Sequence, residues 1–476
     1  MTGERAASVM VQGCSSWAGK SLVATALARI FARRGLRVAP FKALNMSNNA
    51  RAVSGGEIAT AQYLQALAAQ VEPEVRMNPV LVKPETDTRS QVVVLGRVDQ
   101  RLSRTAWRGR AAALWPKIEA SLRSLQAEAD MVLIEGAGSP AEFNLWDVDV
   151  ANMRVAELAG ATVVLVADID RGGAFAHLWG TWSLLPPRQR SLIKGFVLNK
   201  FRGDASLLDP APAQLERMTG VPVIGLIPYL QHSLPDEEGA GPTTQRPPDG
   251  APSVAVIRYP TASNLDEFKP LEHVTRLRWA WTPADLDGAD LVILPGAKSV
   301  AADLRWLREQ GFPDALQART RQGGRLLAIC GGLQMLGERL DDRGNVDGNA
   351  SGLSILPLTT RFESNKIARP TEARFRPLPE PWCSLSGLSF SGYEIRHGRS
   401  EPSTYLEEAI VGGLGYVRGP VLATYVHGMF EAPDVIRGLF GAHGVPSLDE
   451  TFDRLADTVE AGLDANILAT LVSTGR

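Results

Sequence analysis

Ser8-Val-Met-Val-Gln-Gly-Cys-Ser-Ser-Trp-Ala-Gly-Lys-Ser21 is the stretch that decides the fold. Ser8 to Gln12 is a short apolar run of strand length. A glycine-containing turn follows, and Lys20 to Arg34 has helical periodicity up to a stop at Gly35. Strand, glycine loop and helix in that order make an anion site, because glycine lets backbone N–H groups turn inward and the helix N-terminus adds its dipole. Lys20 is placed to reach outer phosphates and the Ser21 hydroxyl to ligate Mg2+. Gly13, Ser15, Gly19, Lys20 and Ser21 are therefore expected to hold ATP. Five residues separate Gly13 from Gly19, one more than the standard loop.

Outward from this loop, strand and helix signals alternate. Leu36 to Pro40, Met131 to Ile134, Thr162 to Ala167, Gly195 to Leu198 and Val221 to Ile227 are strand-length apolar runs. Helical stretches separate most of them, and Glu57 to Gln70 reads as one such helix. Such alternation implies a mostly parallel sheet wound on both faces. Between Gln231 and Ser253 the chain turns rich in Pro, Gly and acid, a linker composition. Fresh strands open at Val254 to Ile257, Asp290 to Leu294, Arg325 to Ile329 and Val421 to Val426. The reading is α/β with two domains, each a mostly parallel sheet flanked by helices. The expected bounds are 1–232, a linker over 233–252, a second domain over 253–445 and a helical segment over 446–476.

Composition narrows the function classes. A chain of 476 residues exceeds one ordinary core. A net charge of -2 gives no hint of a nucleic-acid partner, so any anion site is local. The apolar runs are far too short to span a membrane. Three cysteines cannot build a disulfide framework and fit a reducing cytoplasm, and six scattered histidines lack zinc-ligand spacing.

In the second part a strand runs into Cys330-Gly-Gly and then a helix, the outline of a nucleophile elbow. The helix N-terminus stabilises a thiolate there. His427, at another strand end and before Gly428, is the candidate base. Pro295-Gly296-Ala297 after the strand ending at Leu294 offers backbone donors, so Gly296 and Gly331 are the expected oxyanion hole. Cys14 and Cys383 lack the elbow setting and read as non-catalytic.

These motifs carry a resemblance. The long phosphate loop is similar to that of the dethiobiotin synthetase group of ATPases. In that group the acid before a Gly-rich turn binds Mg2+, which implies Glu135 before Gly136-Ala-Gly138. A second metal acid corresponds to Glu57, which reads equally as an acid facing a helix dipole. The adenine-reading position corresponds to Asn199. The elbow cysteine, histidine and Pro-Gly turn resemble class I glutamine amidotransferases, with Met429 where most members place the Glu that orients the histidine.

The combination, with Val38-Ala-Pro-Phe-Lys-Ala-Leu-Asn-Met-Ser-Asn-Asn49, Met77-Asn-Pro-Val-Leu-Val-Lys-Pro84 and Gly392-Tyr-Glu-Ile-Arg-His-Gly398, resembles the cobyric acid synthase family over nearly the whole chain. The resemblance implies ATP, Mg2+, glutamine and a corrinoid substrate, amidated at its b, d, e and g carboxylates. It also implies substrate contacts after the first strands, for which Lys42, Asn45 and Asn78 are candidates alongside a purely loop-stabilising role. A cobyrinic acid a,c-diamide synthase shares the two-domain logic. From another class, a dimerising ATP switch shares only the loop, and it would carry a lysine where Ser15 stands.

Overall fold

The computed structural model describes residues 6–86, 89–230, 234, 250–442, 445–467 and 471. The expected linker, 233–252, lies almost wholly outside them. Two α/β units flank it.

The first is a six-stranded parallel sheet in the order Val223–Pro228, Ile193–Phe201, Thr162–Asp168, Ala7–Gly13, Met131–Glu135, Val38–Phe41. Ala7–Gly13 is buried at every position, as a central strand covered on both faces must be. It feeds the helix Lys20–Arg33, whose residues Val23 to Phe31 are buried against the sheet.

The second is a seven-stranded sheet in the order Arg276–Ala280, Ser253–Ile257, Leu291–Leu294, Arg325–Ile329, Val421–Thr424, Gly415–Arg418, Glu407–Ile410. The first five strands run parallel and the last two close it antiparallel. The central parallel strands are largely apolar, and the loops after them gather Pro295, Cys330 and His427 at one sheet edge, outside the strand C-termini, where ligands bind in such folds.

Three features depart from the expectation. Glu57 does not open a helix: Gly56–Ala59 is a strand paired with Ala50–Val53, and the helix starts at Thr60. Gly55 and Gly56, both at positive φ, turn that hairpin, and Ile58 is buried as a strand residue. The helix after the elbow is short, Gly331–Leu336, and Arg339–Asp341 already pairs as a strand. The C-terminal helix Leu448–Ala461 crosses back to the first unit. Phe452, Leu455, Ala456 and Val459 join the core around the helix Lys20–Arg33, and Arg29 pairs with Asp453 at 2.8 Å.

The units meet along the hairpin Ala50–Ala59. Against it lies the long antiparallel ribbon Leu358–Arg374 with Ser389–Pro402. Ala50, Ala59, Leu81 and Val93 form a small apolar cluster there, with Ile395 of the ribbon packed on it.

Candidate functional site

At the first site, Gly19 caps the helix with φ 96°, a conformation that favours glycine. A Cβ there would also lie 2.0 Å from Asn199 Nδ2. Lys20 curls back over the loop, with Nζ donating to Ser15 O and Gly138 O, both at 3.0 Å. The loop and Lys20 line a cavity of about 1040 Å3, with Ser21, Lys42, Asn45 and Asn199 also on its wall.

Glu135 ends the neighbouring strand, fully buried. Its Oε1 accepts from Ser21 Oγ and Lys42 Nζ, each at 2.8 Å, and its Oε2 accepts from Gln65 Nε2 at 2.5 Å and Gln62 Nε2 at 3.4 Å. A hydroxyl and a carboxylate side by side at the phosphate loop are hard oxygen donors of the kind Mg2+ takes together with nucleotide phosphates, so the residues present fit that ion.

The other expected residues divide. Asn45 lines the cavity and donates to Gln62 Oε1 at 2.9 Å. Asn199 donates Nδ2 to Ala18 O at 2.9 Å, bracing the loop from beside it. Two of the expected residues lie off this wall. Glu57 does not line the phosphate-loop cavity, because its carboxylate is taken up by Lys83 at 2.6 Å and by Lys366 of the second unit. Burial alone would raise its pKa, but the two lysines hold it down to about 2. Asn78 is not on the cavity wall either. Its amide ties strand ends together, donating to Lys42 O and Val80 O at 3.0 Å and accepting from Ala59 N at 3.1 Å.

At the second site, Cys330 sits between the strand Arg325–Ile329 and the helix Gly331–Leu336 with φ 50°, ψ -102°. For a residue with a Cβ this is strained backbone, held by Cys330 N on Thr424 O at 2.7 Å. It lifts the thiol towards His427. Gly331 permits close approach: a Cβ there would lie 2.6 Å from Ala297 N. A Cβ at Gly296 would lie 2.9 Å from His427 Cε1. The cysteine, the histidine and both expected oxyanion segments thus converge.

The sequence reading missed the third member. Glu267 is fully buried in the 3-10 stretch Leu265–His273. Its Oε1 pairs with His427 Nδ1 at 2.9 Å and its Oε2 accepts from Gly428 N at 3.1 Å. The acid absent at Met429 therefore arrives from 160 residues earlier in the chain. Its own segment, Leu265-Asp-Glu-Phe-Lys-Pro-Leu-Glu-His273, is polar at several positions and carries no signal that singles it out. Burial pushes the His427 pKa down, but Glu267 and the adjacent Cys330 override it and raise it to about 10. A hydrogen bond between Cys330 and His427 contributes to that rise. His427 is thus held as an imidazolium beside Cys330. By contrast, burial pushes Cys14 up to about 12, and Cys383 is exposed with its thiol donating to Glu380.

Comparison with known proteins matches both units. Residues 9–239 match the CobQ/CobB/MinD/ParA nucleotide binding domain, and residues 253–435 match the CobB/CobQ-like glutamine amidotransferase domain. Over its full length the chain is 53% identical to a cobyric acid synthase of Polaromonas sp., covering 100% of both chains. A cobyric acid synthase of Paracidovorax citrulli is 55% identical over 96% of this chain and 97% of its own. The chain belongs to the cobyric acid synthase family. As a member it is a glutamine-dependent amidating ligase, with its nucleotide-binding unit first and its glutamine amidotransferase unit second. Among the described residues no helix is long and apolar enough to cross a membrane.

Proposed function

We propose that the chain amidates the b, d, e and g carboxylates of adenosylcobyrinic acid a,c-diamide, using ATP and ammonia released from glutamine at Cys330. The observation that carries the reading is the triad Cys330–His427–Glu267 in one chain with a phosphate loop whose Ser21 meets Glu135.

Cys330 Sγ attacks the glutamine side-chain amide. His427 delivers the proton that lets ammonia leave, then activates water against the glutamyl thioester. Glu267 fixes the imidazole tautomer by accepting from Nδ1. Backbone N–H groups around Gly296 and Gly331 take the developing oxyanion, where one donor is worth about 3 kcal/mol. In the first unit a substrate carboxylate attacks the γ-phosphorus of ATP. An acyl phosphate forms, ADP leaves, and ammonia then displaces phosphate to give the amide. The loop and Lys20 neutralise the phosphates during transfer. Ser21 and Glu135 would hold Mg2+, which supplies further neutralisation there.

Several features support a large, partly apolar substrate. Trp17, Met46, Trp107 and Trp146 are exposed side chains on the wall of the cavity, apolar surface that soluble proteins rarely gather without a ligand. Lys42 and Asn45 stand on the same wall as the proposed contacts to substrate carboxylates. The test is mass spectrometry of the corrinoid after incubation with enzyme, ATP and glutamine. Four steps of about one mass unit each are expected, one per carboxylate converted to amide. Conversion of cobyrinic acid itself at two positions, with the a,c-diamide left untouched, would transfer the assignment to the a,c-diamide reaction.

A further inference from the structure

We propose that Arg51, carried by the nucleotide-binding unit, is a positioning residue for the glutamine-hydrolysing triad of the other unit. The inference rests on the triad reading above and adds a requirement to it: the base is fully aligned only with the two units docked.

Arg51 lies on the strand Ala50–Val53 and is almost completely buried. Its guanidinium grips both groups that border His427. Nη1 donates to Tyr393 OH, and the guanidinium carbon stands 4.8 Å from the centroid of the Tyr393 ring. That ring is stacked on the His427 imidazole, with centroids 5.1 Å apart and planes 15° from parallel. Main-chain bonds in both directions tie the same two residues, at 2.9 and 3.2 Å. Nη2 pairs with Asp266 Oδ2 at 2.6 Å and with Glu431 Oε1 at 2.6 Å. Asp266 is the residue before Glu267.

The acid-bearing segment itself lies outside the sheets, just after the short strand Ala262–Ser263 that pairs with Gly296–Ala297. It is a 3-10 stretch entered through Asn264, which sits at φ 55°. First-unit residues hold it. Asn49 Oδ1 accepts from Leu265 N at 3.2 Å, Ala50 N donates to Asn264 Oδ1 at 3.3 Å, and Thr60 Oγ1 donates to Asp266 at 3.4 Å. Asn264 Nδ2 completes the ring of contacts on Tyr393 OH at 3.1 Å. A buried ion pair is a poor way to gain stability, since desolvation offsets the attraction. A rigid planar fork is, however, a good way to fix two partners at once. Here the two partners are the face of the base and the segment that bears its acid.

The test uses the full chain and three measurements: glutamine hydrolysis, glutamine-dependent amidation and ammonia-dependent amidation. Arg51→Met is expected to lower kcat for glutamine hydrolysis about 10- to 100-fold, the effect of misplacing a base by a fraction of an ångström. KM for glutamine is expected to stay within about twofold, and ammonia-dependent amidation to be unchanged. Arg51→Lys should recover only part of the loss, because an ammonium lacks the fork. Tyr393→Phe keeps the stacked ring and removes the hydroxyl, and should lower kcat roughly 2- to 10-fold. Unchanged glutaminase kcat in Arg51→Met overturns the inference, and so does an equal loss of ammonia-dependent activity. If Arg51→Met does not fold, Tyr393→Phe decides in the same way. Absence of glutaminase in the unaltered chain, or its persistence in Cys330→Ala, would instead overturn the triad reading itself.

Discussion

The two reaction centres are built in opposite ways. The proposed phosphate site is mostly local: nine consecutive residues, Gly13 to Ser21, supply loop, cation and hydroxyl, and Glu135, Lys42 and Asn199 join them from elsewhere. The proposed glutaminase site is assembled from residues 267, 330 and 427, which three separate stretches of chain supply. A local site can be formed by its own strand and helix. A dispersed one depends on the packing of its whole unit and, through Arg51, on contact with the neighbouring unit. The lesson is that the first site should fail alone when altered, whereas the second should respond to changes at a distance.

The sharpest separation is expected from Cys330→Ala. Removing a nucleophile that acts with its base as a unit costs about 10^6-fold. Glutamine-dependent amidation should vanish while added ammonia still supports product, read by corrinoid mass. A folded variant that ammonia does not rescue would break the division into two centres. Lys20→Ala comes next, with a loss of about 10^4-fold expected in both the glutamine- and the ammonia-driven reaction. Retained activity in either would remove the phosphate-loop assignment.

Glu267→Gln probes the member of the dispersed site that its own segment marks least. The His427 pKa of about 10 lies above the ordinary 6.5. The stabilisation from its pairing is therefore complete below about 6.5 and is lost as pH rises through about 10. Glutaminase activity of the unaltered chain should hold through the mildly alkaline range. In Glu267→Gln the alkaline limb should move to lower pH, and kcat should fall about 100-fold. A profile identical to that of the unaltered chain would show that Glu267 does not set the charge on the base.

This contrast also explains what the sequence made legible. The parallel sheets were readable because several of their strands are unbroken apolar runs bounded by turns, at residues 163–167, 131–134 and 291–294, whereas the edge strand Arg276–Ala280, with Arg276 and Arg278, gave no such run. The phosphate loop was readable because its chemistry is contiguous. Cys330 announced itself through the glycines that follow it, and His427 through Gly428. Glu267 did not, because nothing within its own segment distinguishes an acid that orients a base from an acid on a surface helix. Glu57 misled for the same reason in reverse. Its neighbours suggest a helix start, but its partners Lys83 and Lys366 lie 26 and 309 residues away. Asn78 was likewise ambiguous until its amide was seen bonded to backbone at three points.

The C-terminal helix offers the gentlest test of whether local construction makes the phosphate site independent. Leu448–Ala461 packs on the helix that follows the loop and joins it through Arg29, Arg33 and Arg34 to Asp453, Asp457 and Glu460. The Arg33 and Arg34 pairs are open to water, where each contributes about 0.2–1 kcal/mol and is screened by salt, whereas the Arg29 side chain is buried. The apolar side of the same helix places Phe452 and Leu455 in the core. Packing rather than charge should therefore hold the strap. Asp457→Asn is expected to shift the thermal midpoint by no more than about a degree or two at low salt and by less at high salt, with both amidation activities intact. A salt-insensitive drop of many degrees, or a loss of both glutamine- and ammonia-dependent amidation with glutamine hydrolysis intact, would mean that the strap sets the loop's geometry and that the first site is less self-contained than its contiguous sequence implies.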